Sequence, residues 1–212
     1  LGAFFSLKSA LLHAPATKES IRVVVLDGGL SDSRWNRFSR ELRKVGREIV
    51  LERMVPDLSD FASLPRDYGN SLMAYARLAL PSMLPAEVER VLYCDADLVF
   101  LRDWSYLWKL DLKDFVVAAA VCPVVQQLGR ESLPLGELGL SKEAPYLQSG
   151  VMVMNLTRWR EERVSENAAG YLARFPEKAQ FWDQSALNVV LPGKWLEIEE
   201  EWNMATFRYC GL

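Results

Sequence analysis

Asp95 and Asp97 stand two residues apart in Val91-Leu92-Tyr93-Cys94-Asp95-Ala96-Asp97, between one apolar run and the next, Leu98–Leu101. Side chains at i and i+2 of an extended segment point the same way, so this spacing sets two carboxylates side by side where a strand ends. Like charges so placed are costly unless something positive lies between them. A hard divalent cation, Mg²⁺ or Mn²⁺, meets that need, with phosphate oxygens completing its shell. With 28 acids in 212 residues, about four pairs at this spacing arise by chance, and four are present: Glu87/Glu89, Asp95/Asp97, Glu197/Glu199 and Glu199/Glu201. The apolar frame, not the spacing, singles out Asp95/Asp97, and both a metal site and an ordinary acidic turn stay open.

Three further places carry polar groups in apolar surroundings. Leu72–Leu80 (LMAYARLAL) is apolar all round, as a buried helix is, yet holds Arg77. A buried guanidinium needs an anion, either Asp95 in a structural ion pair or a ligand phosphate gripped bidentately. Gln148 and Ser149 precede Gly150 at the mouth of the apolar run Val151–Leu156, where glycine admits a close backbone or ligand; an ordinary turn reads the same way. Asp183-Gln184 follow Phe181-Trp182. Asp183 either caps the helix after it or joins Gln184 among aromatics as a grip for sugar hydroxyls. His13, the single histidine, lies far from all of these in sequence and reads as a surface or capping residue. The seven tryptophans read mainly as core, and Glu197–Glu201 as a solvated edge.

The elements that would position these groups alternate. Strands are expected at Ile21–Leu26, Glu48–Arg53, Arg90–Asp97 with its exit, Phe115–Val121, Val151–Leu156 and Trp195–Glu199. Helices are expected from the Ser31-Asp32-Ser33 cap to about Val45, with Trp35, Phe38 and Leu42 on one face, and from Asn70 to Leu80, stopped or kinked at Pro81. Two more fall at Thr157–Phe175 and Asp183–Val190, and a Gly/Pro loop covers 129–145. Phe115–Val121 (FVVAAAV) is apolar throughout, as a strand covered on both faces should be. The expectation is one α/β domain over residues 1–212 with a mostly parallel sheet flanked by helices, and ligands at the carboxyl ends of its strands.

Composition agrees with that. Half of the residues are hydrophobic and 25 Lys+Arg face 28 Asp+Glu, enough apolar material for a core and too little net positive charge for broad nucleic-acid binding. Three cysteines, Cys94, Cys122 and Cys210, are an odd count at wide spacing, neither a zinc pattern nor a disulfide framework, which favours a reducing compartment. Phe115–Val125 holds about half of the ~20 residues needed to span a bilayer. The chain opens at Leu1 rather than Met and runs straight into a helix-like Leu1–His13, so a piece of a longer protein is expected.

Six motifs in order, VVVLDGGLS, AYARLAL, VLYCDADLVFLRDW, YLQSGVMVMNLTRWR, DQSALN and LPGKW, together resemble glycosyltransferase family 8. These are the retaining nucleotide-sugar transferases of the GT-A fold, among them bacterial lipopolysaccharide galactosyl- and glucosyltransferases and glycogenin. The resemblance implies transfer of a hexose (glucose or galactose) from a UDP-sugar to a hydroxyl of a saccharide or lipid-linked saccharide, with retention. It implies that Asp95 and Asp97 hold Mn²⁺ (or Mg²⁺) and the UDP diphosphate, with Ala96 beside the nucleotide. Arg77 would reach the donor's phosphate or sugar, while Gln148, Ser149, Asp183 and Gln184 hold the sugar. Asp183 and Gln184 are the implied catalytic pair, Gln184 at the position of a nucleophile or stabiliser on the sugar's reacting face. A bacterial enzyme of the cytoplasm, at the inner membrane face, with peripheral attachment through further segments, is implied as well.

The chain departs from the family pattern in three ways. The first strand, with its acidic uridine-binding loop, and the C-terminal H-x-x-G-x-x-K-P-W segment with the third metal ligand are both absent. Arg208-Tyr209-Cys210-Gly211 only echoes the latter. Cys122 stands where many relatives carry an aspartate near the donor sugar. Two rivals remain. Asp95-Ala96-Asp97-Leu98-Val99 matches the D-x-D-x-[TV] motif of haloacid-dehalogenase phosphotransferases, although that motif normally ends a first strand and here at least two precede it. The other is a non-catalytic nucleotide- or sugar-binding relative.

Overall fold

The computed structural model describes residues 2–16, 20–66 and 70–204, so Arg208–Gly211 and Cys210 lie outside the described residues. In chain order its elements are α1 (Gly2–Leu12), β1 (Ile21–Leu26), α2 (Asp32–Arg43), β2 (Ile49–Met54), α3 (Ala76–Met83), β3 (Arg90–Cys94), α4 (Ser105–Lys109), β4 (Val117–Val121), α5 (Leu135–Leu138), β5 (Leu147–Asn155), α6 (Leu156–Glu161), α7 (Val164–Arg174), α8 (Asp183–Val190) and β6 (Trp195–Ile198). Two compact units result, Leu1–Pro56 with Cys94–Leu110, and Asp57–Tyr93 with Asp111–Leu212. None of the described helices is long and apolar enough to cross a membrane.

The first unit is built on a β-α-β turn. β1 and β2 pair in parallel from Ile21↔Ile49 to Leu26↔Met54, which requires a crossover, and α2 supplies it. Ser31 caps α2, its Oγ accepting the Arg34 amide. The expected apolar face forms: Leu42 is buried, Trp35 stacks on Phe38 at 5.5 Å, and Phe4 of α1 meets Phe38 edge-on. At the carboxyl end of β1, Asp27 is buried. Its Oδ1 takes the amides of Gly29 (2.9 Å) and Leu30 (2.7 Å), and its Oδ2 takes Arg53 Nε at 2.6 Å. Desolvation alone would raise the Asp27 carboxyl, but the amide bonds and Arg53 outweigh it and hold it below its ordinary value.

The second unit carries a four-stranded sheet in the order β3-β5-β4-β6. β4 is fully buried through Ala120, as its all-apolar sequence requires, and pairs in parallel with β6 from Val117↔Trp195 to Ala120↔Ile198. One strand departs from the parallel direction of these pairs: β5 runs antiparallel to β4, from Val117↔Met154 to Val121↔Leu147. The connection explains the reversal. Residues 122–146 contain no crossover helix beyond the four residues of α5 and return as a long hairpin stem. Cys122 N–H bonds the Tyr146 carbonyl (2.7 Å), Tyr146 N–H the Gln126 carbonyl (2.9 Å), and Leu128 N–H the Ala144 carbonyl (2.9 Å). The start of β5 therefore lies beside the carboxyl end of β4.

Three helix boundaries depart from expectation. The segment from Asn70 opens with a 3₁₀ turn, Met73–Tyr75, before α3, and Pro81 sits inside α3 without stopping it. Arg160 gathers the carbonyls at and beyond the end of α3: Nε donates to Pro81 (3.0 Å), and Nη1 and Nη2 donate to Leu84, Pro85, Ala86 and Val88 at 3.2 Å. The expected helix 157–175 breaks into α6 and α7 at Arg163, whose φ of 50° is left-handed. β5 begins at Leu147, four residues before the Val151 expected from hydropathy.

Candidate active site

In the first unit, the acidic pair leaves β3 and lies on one face of α1. A Cβ at Gly2 would come within 2.9 Å of the Ala96 carbonyl oxygen. Ser6 Oγ donates to the Asp95 carbonyl (3.2 Å), Ser9 Oγ accepts the Phe100 amide (2.9 Å), and the Trp104 indole donates to the Ala10 carbonyl (2.9 Å). Gly2, Ser6, Ser9 and Ala10 recur at helical spacing, so small and hydroxylic residues of α1 hold the backbone of Asp95–Trp104. Asp95 is half-buried and Asp97 exposed. Among the described residues no group of three or more His, Cys, Asp or Glu gathers that could hold a metal ion. The pair still fits a hard divalent cation, because two carboxylates are the donors such an ion takes while keeping water or phosphate oxygens in its other positions. Burial, then the Asp95 charge, pushes the neighbouring Cys94 thiol up to about 12, so it stays protonated. His13 Nδ1 bonds the Ser9 carbonyl at 3.0 Å, a structural role in the turn after α1.

In the second unit, four of the singled-out residues meet. Arg77 of α3 and Asp183 of α8 are both buried, with 7% and 4% of their surface exposed, and Arg77 Nε lies 2.9 Å from Asp183 Oδ2. Arg77 Nη1 donates to the Ser149 carbonyl at 2.6 Å, and its guanidinium lies over the Tyr93 ring, 4.7 Å from the centroid. The sequence pointed to Asp95 or a ligand phosphate as the anion for Arg77; within this unit Asp183 is an anion that it meets. Asp183 does not cap α8 either; Trp182 holds the cap position without a side-chain bond, and Asp183 opens the first turn.

Gln184 and Ser149 fix one another. The Ser149 amide donates to Gln184 Oε1 (3.0 Å), and Ser149 Oγ lies 3.2 Å from the same oxygen and 3.5 Å from Asp183 Oδ2. A backbone N–H facing the carboxamide requires its oxygen there, so Nε2 is the end of Gln184 left to donate elsewhere. Ser149 is buried inside β5 rather than at its mouth, because α8 side chains satisfy that backbone. Gln148 is half-buried, and its Oε1 has no hydrogen-bond partner among the described residues. Cys122 is buried just beyond β4. The assembly can neutralise an anion with a rigid cation and offer carboxylate and amide groups to hydroxyls.

Several contributors escaped the sequence reading. Asn188 is buried one helical turn after Gln184 and joins α8 to β5. Its Oδ1 accepts the Leu147 amide (2.7 Å), and its Nδ2 donates to the carbonyls of Leu147 (2.9 Å) and Gln184 (2.8 Å). The signal was present as a polar residue four after Gln184 on one helix face. Tyr93, Ser185 and the small face of α1 look like ordinary core or helix residues in sequence.

The sequence profile described as "Glycosyl transferase family 8" matches residues 1–209. The chain is 26% identical over 201 residues to General stress protein A of Bacillus subtilis (strain 168), covering 93% of this chain and 68% of that protein. It is 32% identical over 170 residues to the Lipopolysaccharide 1,2-glucosyltransferase of Escherichia coli (strain K12), covering 78% of this chain and 49% of that protein. Its fold is similar to the crystal structure of the galactosyltransferase LgtC in complex with donor and acceptor sugar analogs. The TM-score is 0.77 at 26% identity, over 94% of this chain and 70% of that one. The chain thus spans about two thirds of the first relative and about half of the second.

Proposed function

The chain belongs to glycosyl transferase family 8, and on that premise we propose that it moves a hexose, glucose or galactose, from a UDP-sugar to a hydroxyl of a saccharide or lipid-linked saccharide, with retention. It is a glycosyltransferase of GT-A fold, which removes the phosphotransferase rival. Under this reading the two compact units are parts of one glycosyltransferase domain. The observation that carries the proposal is the buried meeting of Arg77, Asp183, Ser149 and Gln184, a charged and amide-bearing cluster in a sheet-and-helix core that has no need of it for packing.

The transfer asks for two things: stabilisation of a departing diphosphate, and of positive charge growing on the sugar ring. Asp95 and Asp97 would hold Mn²⁺ or Mg²⁺, which supplies Lewis-acid neutralisation of the diphosphate when bound. Ala96 would lie beside the nucleotide. Arg77, held rigid by Asp183 and the Ser149 carbonyl, keeps a fixed positive charge available to the donor without reorganisation. The Asp183 carboxylate and the Nε2 end of Gln184 would bind and orient the sugar with Gln148 and Ser149. Likeness to a lipopolysaccharide glucosyltransferase supports a part in lipopolysaccharide assembly at the inner face of a bacterial membrane, with peripheral attachment through segments beyond the described residues.

The test is a panel of UDP-sugars with Mn²⁺, following UDP release by the complete gene product. One UDP-hexose should turn over above the others, and Asp97→Asn should lower that rate by about 10²–10⁴-fold, several kcal/mol at ~1.4 kcal/mol per decade. A variant as fast as wild type in excess Mn²⁺ removes the metal assignment. No release from any UDP-sugar, with no rise in melting temperature on adding Mn²⁺ and UDP, favours the non-catalytic relative.

A further inference from the structure

A buried acid outside every motif lies behind the cluster. Glu131 follows the 3₁₀ turn Leu128–Arg130 on the β4–β5 connection, and only 6% of its surface is exposed. A carboxyl is not buried there for packing, and burial pushes its pKa up against the hydrogen bonds that favour the charged form. Three of the four groups that make those bonds, Ser185 and the Gln180 and Phe181 amides, belong to the turn that leads into α8 and to its first residues; the fourth is Tyr146, just before β5. Glu131 Oε1 accepts the Gln180 amide at 3.1 Å and the Ser185 hydroxyl at 2.5 Å, and Ser185 Oγ in turn accepts the Phe181 amide at 2.8 Å. One oxygen thus organises two successive backbone N–H groups, directly and through Ser185.

The turn needs holding. Trp182, between Phe181 and Asp183, has φ 46° and ψ −114°, a conformation an L-residue with a large side chain avoids at a cost of about 1–3 kcal/mol. Such a backbone persists only where its surroundings over-determine it. Here the residues before it are tied to Glu131, its indole donates to the Arg66 carbonyl (3.0 Å), and α8 begins immediately after it. Asp183 and Gln184 are the next two residues, so the direction in which they leave the turn follows from how Trp182 is held.

We propose that Glu131 is a positioning residue for the sugar-handling pair: through the Gln180 amide and Ser185 it clamps the turn at Trp182 and so aims Asp183 and Gln184. The assignment of that pair rests on the function proposed above, while the clamp stands on the structure alone. Glu131 touches no reacting atom in this scheme. Its effect is on the orientation of groups that do.

The experiment compares Glu131→Ala and Glu131→Gln in the complete gene product by amide hydrogen exchange and by steady-state kinetics with the UDP-hexose that wild type prefers. Glu131→Ala should speed exchange of the Gln180 and Phe181 amides by about tenfold or more while leaving Val117–Val121 protected. It should lower kcat by about 10–100-fold with donor KM within about threefold, as expected for misaimed rather than missing groups. Glu131→Gln keeps a carbonyl oxygen for the Gln180 amide and Ser185, and should stay within about threefold of wild type in both. Unchanged exchange at Gln180 and Phe181 in Glu131→Ala overturns the clamp. Exchange that rises equally in Val117–Val121 overturns it too, since Glu131 would then serve the core at large. A kcat at wild-type level despite a loosened turn overturns the positioning role, as does Glu131→Gln losing as much as Glu131→Ala. If wild type transfers no sugar at all, the proposed function fails, and the exchange measurements still decide the clamp.

Discussion

Asn188→Ala is expected to destabilise the protein by about 3 kcal/mol, a loss that can be worked out bond by bond. The side chain is buried and forms three hydrogen bonds, two of them to the backbone of Leu147, which is itself fully enclosed. Alanine removes the acceptor of the Leu147 amide and a donor to the Leu147 carbonyl. Each buried group so deprived costs about 1–3 kcal/mol, about 2–6 kcal/mol for the two, and partial relaxation around the smaller side chain keeps the sum in the lower half of that span. For a chain of this size ~3 kcal/mol corresponds to a fall in melting temperature of roughly 6–12 °C. Urea unfolding of wild type and variant, with the slope unchanged, measures it. Asn188→Asp tests the same bonds separately, since it keeps an acceptor for the Leu147 amide but offers no donor and brings a buried charge; it should be no more stable than Asn188→Ala. A loss below about 0.5 kcal/mol in Asn188→Ala, the size of an ordinary surface substitution, would mean that the Leu147 groups find other partners and that Asn188 does not join α8 to β5.

Two further outcomes concern the buried charges. Arg77→Leu should cost about 3–5 kcal/mol because it takes a cation from a buried carboxylate, and much less when combined with Asp183→Asn; single and double variants that add within about 0.5 kcal/mol would sink the Arg77–Asp183 pairing. Asp27 is held below its ordinary pKa in the fold, so it binds protons more weakly folded than unfolded, and its stabilisation is present above about pH 4 and fades as pH falls through the lowered value. Asp27→Asn should therefore be less stable than wild type at pH 7 by about 1–3 kcal/mol, with the gap closing under acid. Equal gaps at pH 7 and pH 3 in parallel urea titrations would refute the charged role of Asp27.

What could be read from the sequence was whatever neighbouring residues decide. The β-branched run Ile21–Leu26, the Ser31 cap and the apolar face of α2 follow from local geometry, and each forms. The end of β3 is likewise a matter of adjacent residues: the strand stops at Cys94, and Ala96 and Asp97 fall in the turn after it. The family motifs, spread in order over the chain, made the fold and the glycosyltransferase family legible before any pairing was known.

The rest was decided by which segment lies beside which. Arg77 announced a buried charge, but only the packing of α3 near α8 makes Asp183 one of its partners. Gln148-Ser149-Gly150 looked like the mouth of a strand beginning at Val151, or an ordinary turn, because polar residues inside the strand would be unsatisfied alone. The side chains of Gln184 and Asn188 satisfy that backbone from across the core, and the strand extends back to Leu147. The reversal of β5 comes from the shape of a 25-residue return with no crossover helix, and it carries Ser149 to the carboxyl side of β4. Glu131 gave no sign at all in one dimension, because a lone acid in a loop is ordinarily solvated. Hydrogen bonds and burial between distant residues are properties of the folded arrangement, and no local pattern of residue types encodes them.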